Sequence, residues 1–149
     1  MACCGTHIPL ELHVSDQGEI LIPREEGFFS FDPASGTVRK LYVPGSGKPS
    51  WGQFLPAQKG LVVLTTSGCF EWVTSGPNPS AKPILQCGSA VFARVSPDGQ
   101  QLAVTVARET MGQGEQKAEW AELHLVTLTD GKYRKDERMY QPEFCWCPD

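Results

Sequence analysis

The sequence predicts an all-β protein made of repeated four-stranded antiparallel units, and three observations carry that reading. The stretch Phe92-Ala-Arg-Val-Ser-Pro-Asp-Gly99, followed by Gln-Gln-Leu-Ala-Val-Thr-Val, spells strand, tight turn, strand. Pro97 presets φ at the first corner, Asp98 bonds the local backbone, and Gly99 takes a positive φ at little cost. Beyond the turn Leu102, Val104 and Val106 alternate with Ala103, Thr105 and Ala107, the two-residue period of a strand. Second, 15 Gly and 12 Pro in 149 residues are many for a helical protein and ordinary for one built of short strands and turns. Third, the pattern recurs. Gly18 and Gly60 lie 42 residues apart, Gly60 and Gly99 lie 39 apart, and Pro97 and Pro148 lie 51 apart; the 108–117 insertion accounts for the excess in the last interval.

The first unit, about 8–44, opens with Leu10–Val14, turns through Ser15–Gly18 and continues as Glu19–Ile22. A short strand at Phe28–Phe31, the turn Asp32–Gly36 and a strand at Thr37–Val43 complete it, and Pro44–Pro49 is a loop. The second unit, about 50–87, repeats that order: Trp51–Leu55, a turn at Pro56–Gly60, Leu61–Thr66, Cys69–Thr74 and Pro83–Gln86. The proline-rich stretch Ser75–Pro83 reads as loop throughout. The third unit, about 90–140, has strands on either side of Ser96–Gly99, then the polar insertion Arg108–Lys117. A strand over Ala118–Leu128, the turn Thr129–Gly131 and a last strand over Lys132–Met139 complete it; Glu115–Glu122 has the composition for one helical turn, but a long hairpin fits the run of leucines better. A fourth unit begins at 143–149, with Pro148-Asp149 standing where Pro97-Asp98 stand one cycle earlier.

A period near 40 residues with four strands per unit is the signature of β-propeller blades. The expected fold is therefore a β-propeller fragment of four-stranded antiparallel blades; a β-sandwich of irregular hairpins and an unrelated all-β fold with coincident turns are the competing readings. The segment Phe92–Met139 resembles one blade of the TolB-like propeller repeat, a relative of the tryptophan-aspartate repeat. That repeat reads aromatic, Ser-Pro-Asp-Gly, apolar strand, then a strand ending in Asp-Gly. Ser96–Gly99 matches in full and Asp130-Gly131 matches the second turn, whereas Ser15–Gly18 lacks the proline and Pro56–Gly60 lacks the aspartate. The resemblance implies architecture and leaves activity open, because propellers host binding, scaffolding and hydrolase-gating roles alike.

Three blades and one strand cannot close a ring that needs about four to eight. The chain is thus expected to be the N-terminal part of a longer protein, its partners being a protein ligand or the missing blades of the same chain, with self-association as another way to cover open blade faces. Composition narrows the function classes further. A net charge of −4 and a pI near 5.4 argue against a nucleic-acid partner. No segment approaches the ~18 apolar residues of a membrane span. The N-terminus has neither a positive n-region nor an apolar run, so the chain as written is expected in the cytoplasm; a cell-envelope location would apply if Ala2-Cys3 closed a lipoprotein signal whose start lay upstream.

No motif predicts catalysis, and the expected catalytic, cofactor and metal site residues are none. Gly45-Ser-Gly-Lys48-Pro-Ser50 superficially resembles a phosphate loop, but Tyr42 stands where the first glycine is required and Pro49–Trp51 starts a strand instead of a helix. Asn78-Pro79-Ser80 is no glycosylation acceptor, since proline fills the middle position. There is no Gly-x-Ser-x-Gly elbow. His7, His13 and His124 are scattered, and His13 and His124 read as strand residues with structural partners. Cys145 and Cys147 form a pair without a second pair at zinc-ligand spacing. Of the six cysteines, Cys3 and Cys4 are adjacent and Cys69 and Cys87 fall in separate strands, so in a reducing compartment all are expected as thiols. Trp51, Phe54, Phe92, Phe144 and Trp146 read as packing between blades. Lys132, Arg134, Lys135 and Arg138, with Asp136 and Glu137 among them, read as a charged outer edge.

These readings favour a non-catalytic β-propeller module for protein or ligand interaction. The alternatives are the substrate-gating propeller of a prolyl-oligopeptidase-like hydrolase, with chemistry beyond Asp149, and a TolB-like envelope binding protein. The loop 75–83 and the insertion 108–117 are the segments expected to meet a partner, and deletion of Met111–Gln116 from the full-length protein with every interaction intact would remove the second.

Overall fold

A computed structural model describes residues 12–107, 121–140 and 144–147. The strands are β1 (His13–Val14), β2 (Ile20–Arg24), β3 (Gly27–Asp32), β4 (Thr37–Tyr42), β5 (Pro49–Phe54), β6 (Leu61–Thr65), β7 (Cys69–Val73), β8 (Ala81–Gln86), β9 (Ala90–Val95), β10 (Gln101–Ala107), β11 (Ala121–Thr127) and β12 (Tyr133–Tyr140). They form three four-stranded sheets, β1–β4, β5–β8 and β9–β12, in which each strand pairs antiparallel with its neighbour in sequence. This is the predicted order of strand and turn. The chain divides into two compact units, Leu10–Gln86 with the first two sheets and another carrying the third from Cys87 onward.

Two sequence expectations are overturned. The stretch 75–83 is not all loop, because Ala81, Lys82 and Pro83 lie in β8 opposite Val73, Trp72 and Glu71. Proline is tolerated there because β8 ends its sheet, where one row of N–H groups has no partner strand to serve. A shift of register between Phe70 and Glu71 leaves Ile84 unopposed beside it. Pro49 likewise opens β5 instead of closing the preceding loop, the first strand position being one that proline can occupy.

Within the Leu10–Gln86 unit the first two sheets pack face to face. Leu21 and Phe28 from the first meet Leu61, Val63 and Val73 from the second, with Leu41, Tyr42 and Phe54 against the cluster. The five central side chains are removed from water almost entirely, and a fully buried aliphatic or aromatic side chain contributes roughly 1.5–3 kcal/mol. Gly52 in β5 makes the approach possible, since a Cβ there would lie 2.8 Å from Leu21 Cδ2 and 3.2 Å from Phe28 Cε1. The two sheets are buried unequally. In the second, Val62, Leu64 and Phe70 are as inaccessible as Val63. The first turns its other face outward: Val14 and Val38 are 59% and 54% exposed, and Arg24 and Lys40 lie over the half-buried ring of Phe29 at 5.2 and 5.8 Å.

In the third sheet Leu102 and Val104 of β10 are fully buried, as is Val126 opposite Leu102 in β11. Phe144 packs edge-on against Phe92 with centroids 5.0 Å apart, and Trp146 Nε1 donates to the Arg94 carbonyl at 3.4 Å. Residues 144–147 belong to no strand.

Candidate functional site

The hairpins joining successive strands decide where a site can form. The β1–β2 turn is closed by Ser15: Gly18 N donates to the Ser15 carbonyl, and Ser15 Oγ accepts from Gln17 N and Glu19 N. The β9–β10 turn uses the same device. Gly99 N donates to the Ser96 carbonyl, and Ser96 Oγ accepts from Gln101 N while donating to Asp98 Oδ1 at 2.6 Å. That bond and the Gln100 N–H hold the Asp98 carboxyl below its ordinary pKa.

The β5–β6 hairpin is different. It turns through a single 3-10-like turn over Pro56–Gln58 in which Ala57 and Gln58 both take φ of 57°. Two successive left-handed residues are the mark of a type I′ turn, whose twist suits the flanking strands and whose usual occupants are Asn and Gly. Here an alanine and a glutamine carry it, at a cost of roughly 1–2 kcal/mol per residue. The turn persists because its surroundings fix it. Ala57 N donates to Asp16 Oδ2 of the β1–β2 turn at 3.0 Å, Ser75 Oγ donates to the Gln58 carbonyl at 2.9 Å, and Trp72 Nε1 donates to the Lys59 carbonyl at 3.1 Å. Gly60, at φ +106°, ends the turn so close to β7 that a Cβ would stand 2.0 Å from the Val73 carbonyl oxygen.

Between these hairpins, inside the Leu10–Gln86 unit, lies an open groove of about 410 Å³. Its floor is apolar, formed by Leu41, Phe54, Leu55, Leu61 and Val73. Its lip is polar: Gln17 and Glu19 on one side, Gln58 and Ser75 on the other, with Arg39 from β4. Arg39 Nη2 meets the Glu19 carboxylate at 3.2 and 3.4 Å, and Arg39 is well exposed. The side-chain amides of Gln17 and Gln58 have no hydrogen-bond partner among the described residues. An apolar floor with a few convergent donors and acceptors is the usual constitution of a binding site.

At the opposite ends of the same strands a buried carboxylate is held by one donor. Tyr42 Oη donates to Glu71 Oε2 at 3.0 Å, and burial together with that bond pushes the phenol up to about 12. Cys69 lies near enough to the same carboxylate for its thiol to be raised, chiefly by burial and further by Glu71. Both groups are held in their neutral forms, which suits support of the sheet packing and not nucleophilic attack.

The residues singled out from the sequence are dispersed. His7, Cys3, Cys4 and the insertion 108–117 lie outside the described residues. His13 packs edge-on to Trp51 with centroids 5.6 Å apart. His124 shares Nδ1 with Tyr133 Oη and Nε2 with Glu122 at 3.4 Å, and burial lowers its pKa against the opposing pull of Glu122. Cys145 and Cys147 are exposed, while Cys69 and Cys87 are half-buried. Lys48 pairs with Glu25 at 2.6 Å and its N–H bonds Thr66 Oγ1, as befits a connecting loop. Along β12, Arg138 pairs with Asp136 at 2.6 Å and Lys135 with Glu122 at 3.7 Å. Among the described residues no three His, Cys, Asp or Glu side chains are grouped to hold a metal, and no helix is long and apolar enough to cross a membrane. Of the loop 75–83 only Ser75 and Gly76 reach the groove. The sequence does not mark Arg39, Gln17 and Gln58, since nothing in the Pro56–Gly60 composition announces a left-handed alanine and glutamine.

No protein-family model matches the chain, and no curated protein matches it. Among solved structures it is similar to the tricorn protease, with a TM-score of 0.55 and 17% identity over 85% of this chain. At that identity the likeness concerns the fold alone. With three four-stranded antiparallel sheets in sequential order, it supports a β-propeller-type fold. The chain spans 13% of the length of that protein.

Proposed function

We propose that the chain is a non-catalytic interaction module belonging to a longer β-propeller, and that it engages its partner in the groove between the first two sheets. The observation that carries this reading is the strained β5–β6 hairpin. Left-handed backbone at two successive non-glycine residues is held by three hydrogen bonds at the lip of an apolar depression, and such strain concentrates at ligand clamps. A photo-crosslinker placed at Gln58 in the full-length protein should capture the partner, and one placed at Lys82, on the edge strand β8, should not. Equal capture from the two positions would overturn the assignment.

A second reading has the propeller gating access to a hydrolase domain, a role compatible with a propeller-type fold. The two readings differ in the size and content of the whole protein. An endogenous product of roughly 30–45 kDa, at about 40–45 residues per blade, would correspond to a stand-alone ring and a binding protein. A much larger product carrying a nucleophile-elbow motif would move the gating role to the front. The TolB-like assignment rests on the Ser96–Gly99 and Asp130-Gly131 turns, and a signal sequence in the complete reading frame would extend it to an envelope protein.

A further inference from the structure

We propose that Cys145 and Cys147 form a two-coordinate clamp for a soft monovalent metal ion, copper(I). The site belongs to the unit of the third sheet and is independent of the groove. Residues 144–147 are pinned to β9 at two points. Phe144 packs edge-on against Phe92, and Trp146 Nε1 donates to the Arg94 carbonyl at 3.4 Å. Phe92 and Arg94 are two residues apart, as are Phe144 and Trp146, so the segment advances at the pitch of the strand it follows. Burial alternates with the same period, Phe144 and Trp146 being half-buried and Cys145 and Cys147 exposed. Successive side chains of an extended chain point to opposite sides, which places both thiols on the outer side of an anchored segment.

Spacing decides what such a pair can do. Alternate residues of an extended chain stand about 6.6 Å apart, beyond the roughly 3.5–4.5 Å between Cβ atoms that a disulfide requires. Two sulfurs turned toward a shared ion, each about 2.3 Å from it, close that gap.

Thiolates select soft ions, copper(I) and zinc among them. Zinc takes four ligands, and among the described residues no three His, Cys, Asp or Glu side chains are grouped to hold a metal. Copper(I) is satisfied by two sulfurs in line. Binding breaks two S–H bonds, releases both protons to solvent and forms two Cu–S bonds, with no change of oxidation state. Cys69 and Cys87 offer no rival site, because each is half-buried with its thiol pKa raised chiefly by burial.

The test is anaerobic titration of the 149-residue chain with copper(I) against the chelator bicinchoninate, in a Cys3→Ser/Cys4→Ser background. The chain should take up one copper per molecule and release two protons. Cys145→Ser and Cys147→Ser should each weaken binding about a hundredfold or more, since loss of a residue that merely supports a ligand costs roughly 10–100-fold. Circular dichroism should not change, because both side chains are exposed. A tetrapeptide of residues 144–147 should bind about tenfold more weakly than the chain, for want of the Phe92 and Arg94 anchors. Undiminished binding by either serine variant, one copper shared by two chains, or no uptake at all would overturn the clamp. Equal affinity of chain and tetrapeptide would overturn the part that β9 plays in building it.

Discussion

Two hairpins at equivalent places in their sheets reach the same end by opposite means. At Ser96–Gly99 the turn is closed by its own side chains, with Ser96 Oγ and Asp98 Oδ1 absorbing the free backbone N–H groups. At Pro56–Gly60 the turn supplies no such side chain, and its geometry is imposed from outside by Asp16, Ser75 and Trp72. The first is locally stable. The second is strained, depends on its neighbours and borders the groove. A backbone that needs outside support is one whose position the packing determines, and that is the property a preorganised clamp requires.

The comparison can be broken most forcefully at the closing glycine. Gly60→Ala drives a methyl into the Val73 carbonyl and should cost ~3 kcal/mol or more. Gly18→Ala, at φ +84° with nothing within 4 Å, should cost only about 1 kcal/mol. Urea unfolding of the two variants gives the ratio, and equal midpoints would show that the second hairpin is no more constrained than the first. Next comes Ser96→Ala, which strips the acceptor for Gln101 N and the donor to Asp98; a loss of about 1–2 kcal/mol is expected.

Gln58→Gly should act in the other direction. Relief of a left-handed side chain should raise stability by roughly 1 kcal/mol while loss of the amide weakens capture in the groove, a division that thermal melts and partner capture resolve together. A stabilised variant with undiminished binding would separate strain from function.

The smallest effect concerns pH. The Asp98 carboxyl is lowered in the folded chain, first by Ser96 and then by the Gln100 N–H. Its contribution is thus complete above the unfolded value near 3.8 and is lost as pH falls through the folded value. Asp98→Asn should flatten the acid limb of the stability profile below about pH 4; an unchanged limb would place the acid sensitivity elsewhere.

The architecture is legible in the sequence because turn chemistry is local. Serine, aspartate and glycine at fixed offsets announce a hairpin whatever surrounds them, so the strands around Ser15–Gly18 and Ser96–Gly99 can be read directly. Pro83 misleads because proline counts as a breaker in a central strand, and only the sheet order reveals that β8 is an edge. The groove is not legible at all. Its walls come from hairpins and strands spread between Ser15 and Gly76, and its defining feature is a pair of φ angles. Gly60 is the one residue that hints at it, and it points to a turn without revealing how tightly β7 crowds it.

Pro83 has a consequence for behaviour at high concentration. A sheet edge grows by recruiting another strand, and proline in the middle of β8 interrupts the row of donors that such recruitment uses. Charged side chains along β12, Arg138 with Asp136 and Lys135, guard the third sheet. Fibrillar assembly of this chain is thereby steered away from those two borders, and a gatekeeper substitution such as Pro83→Val should shorten the lag time of thioflavin-positive aggregation while leaving the native fold intact.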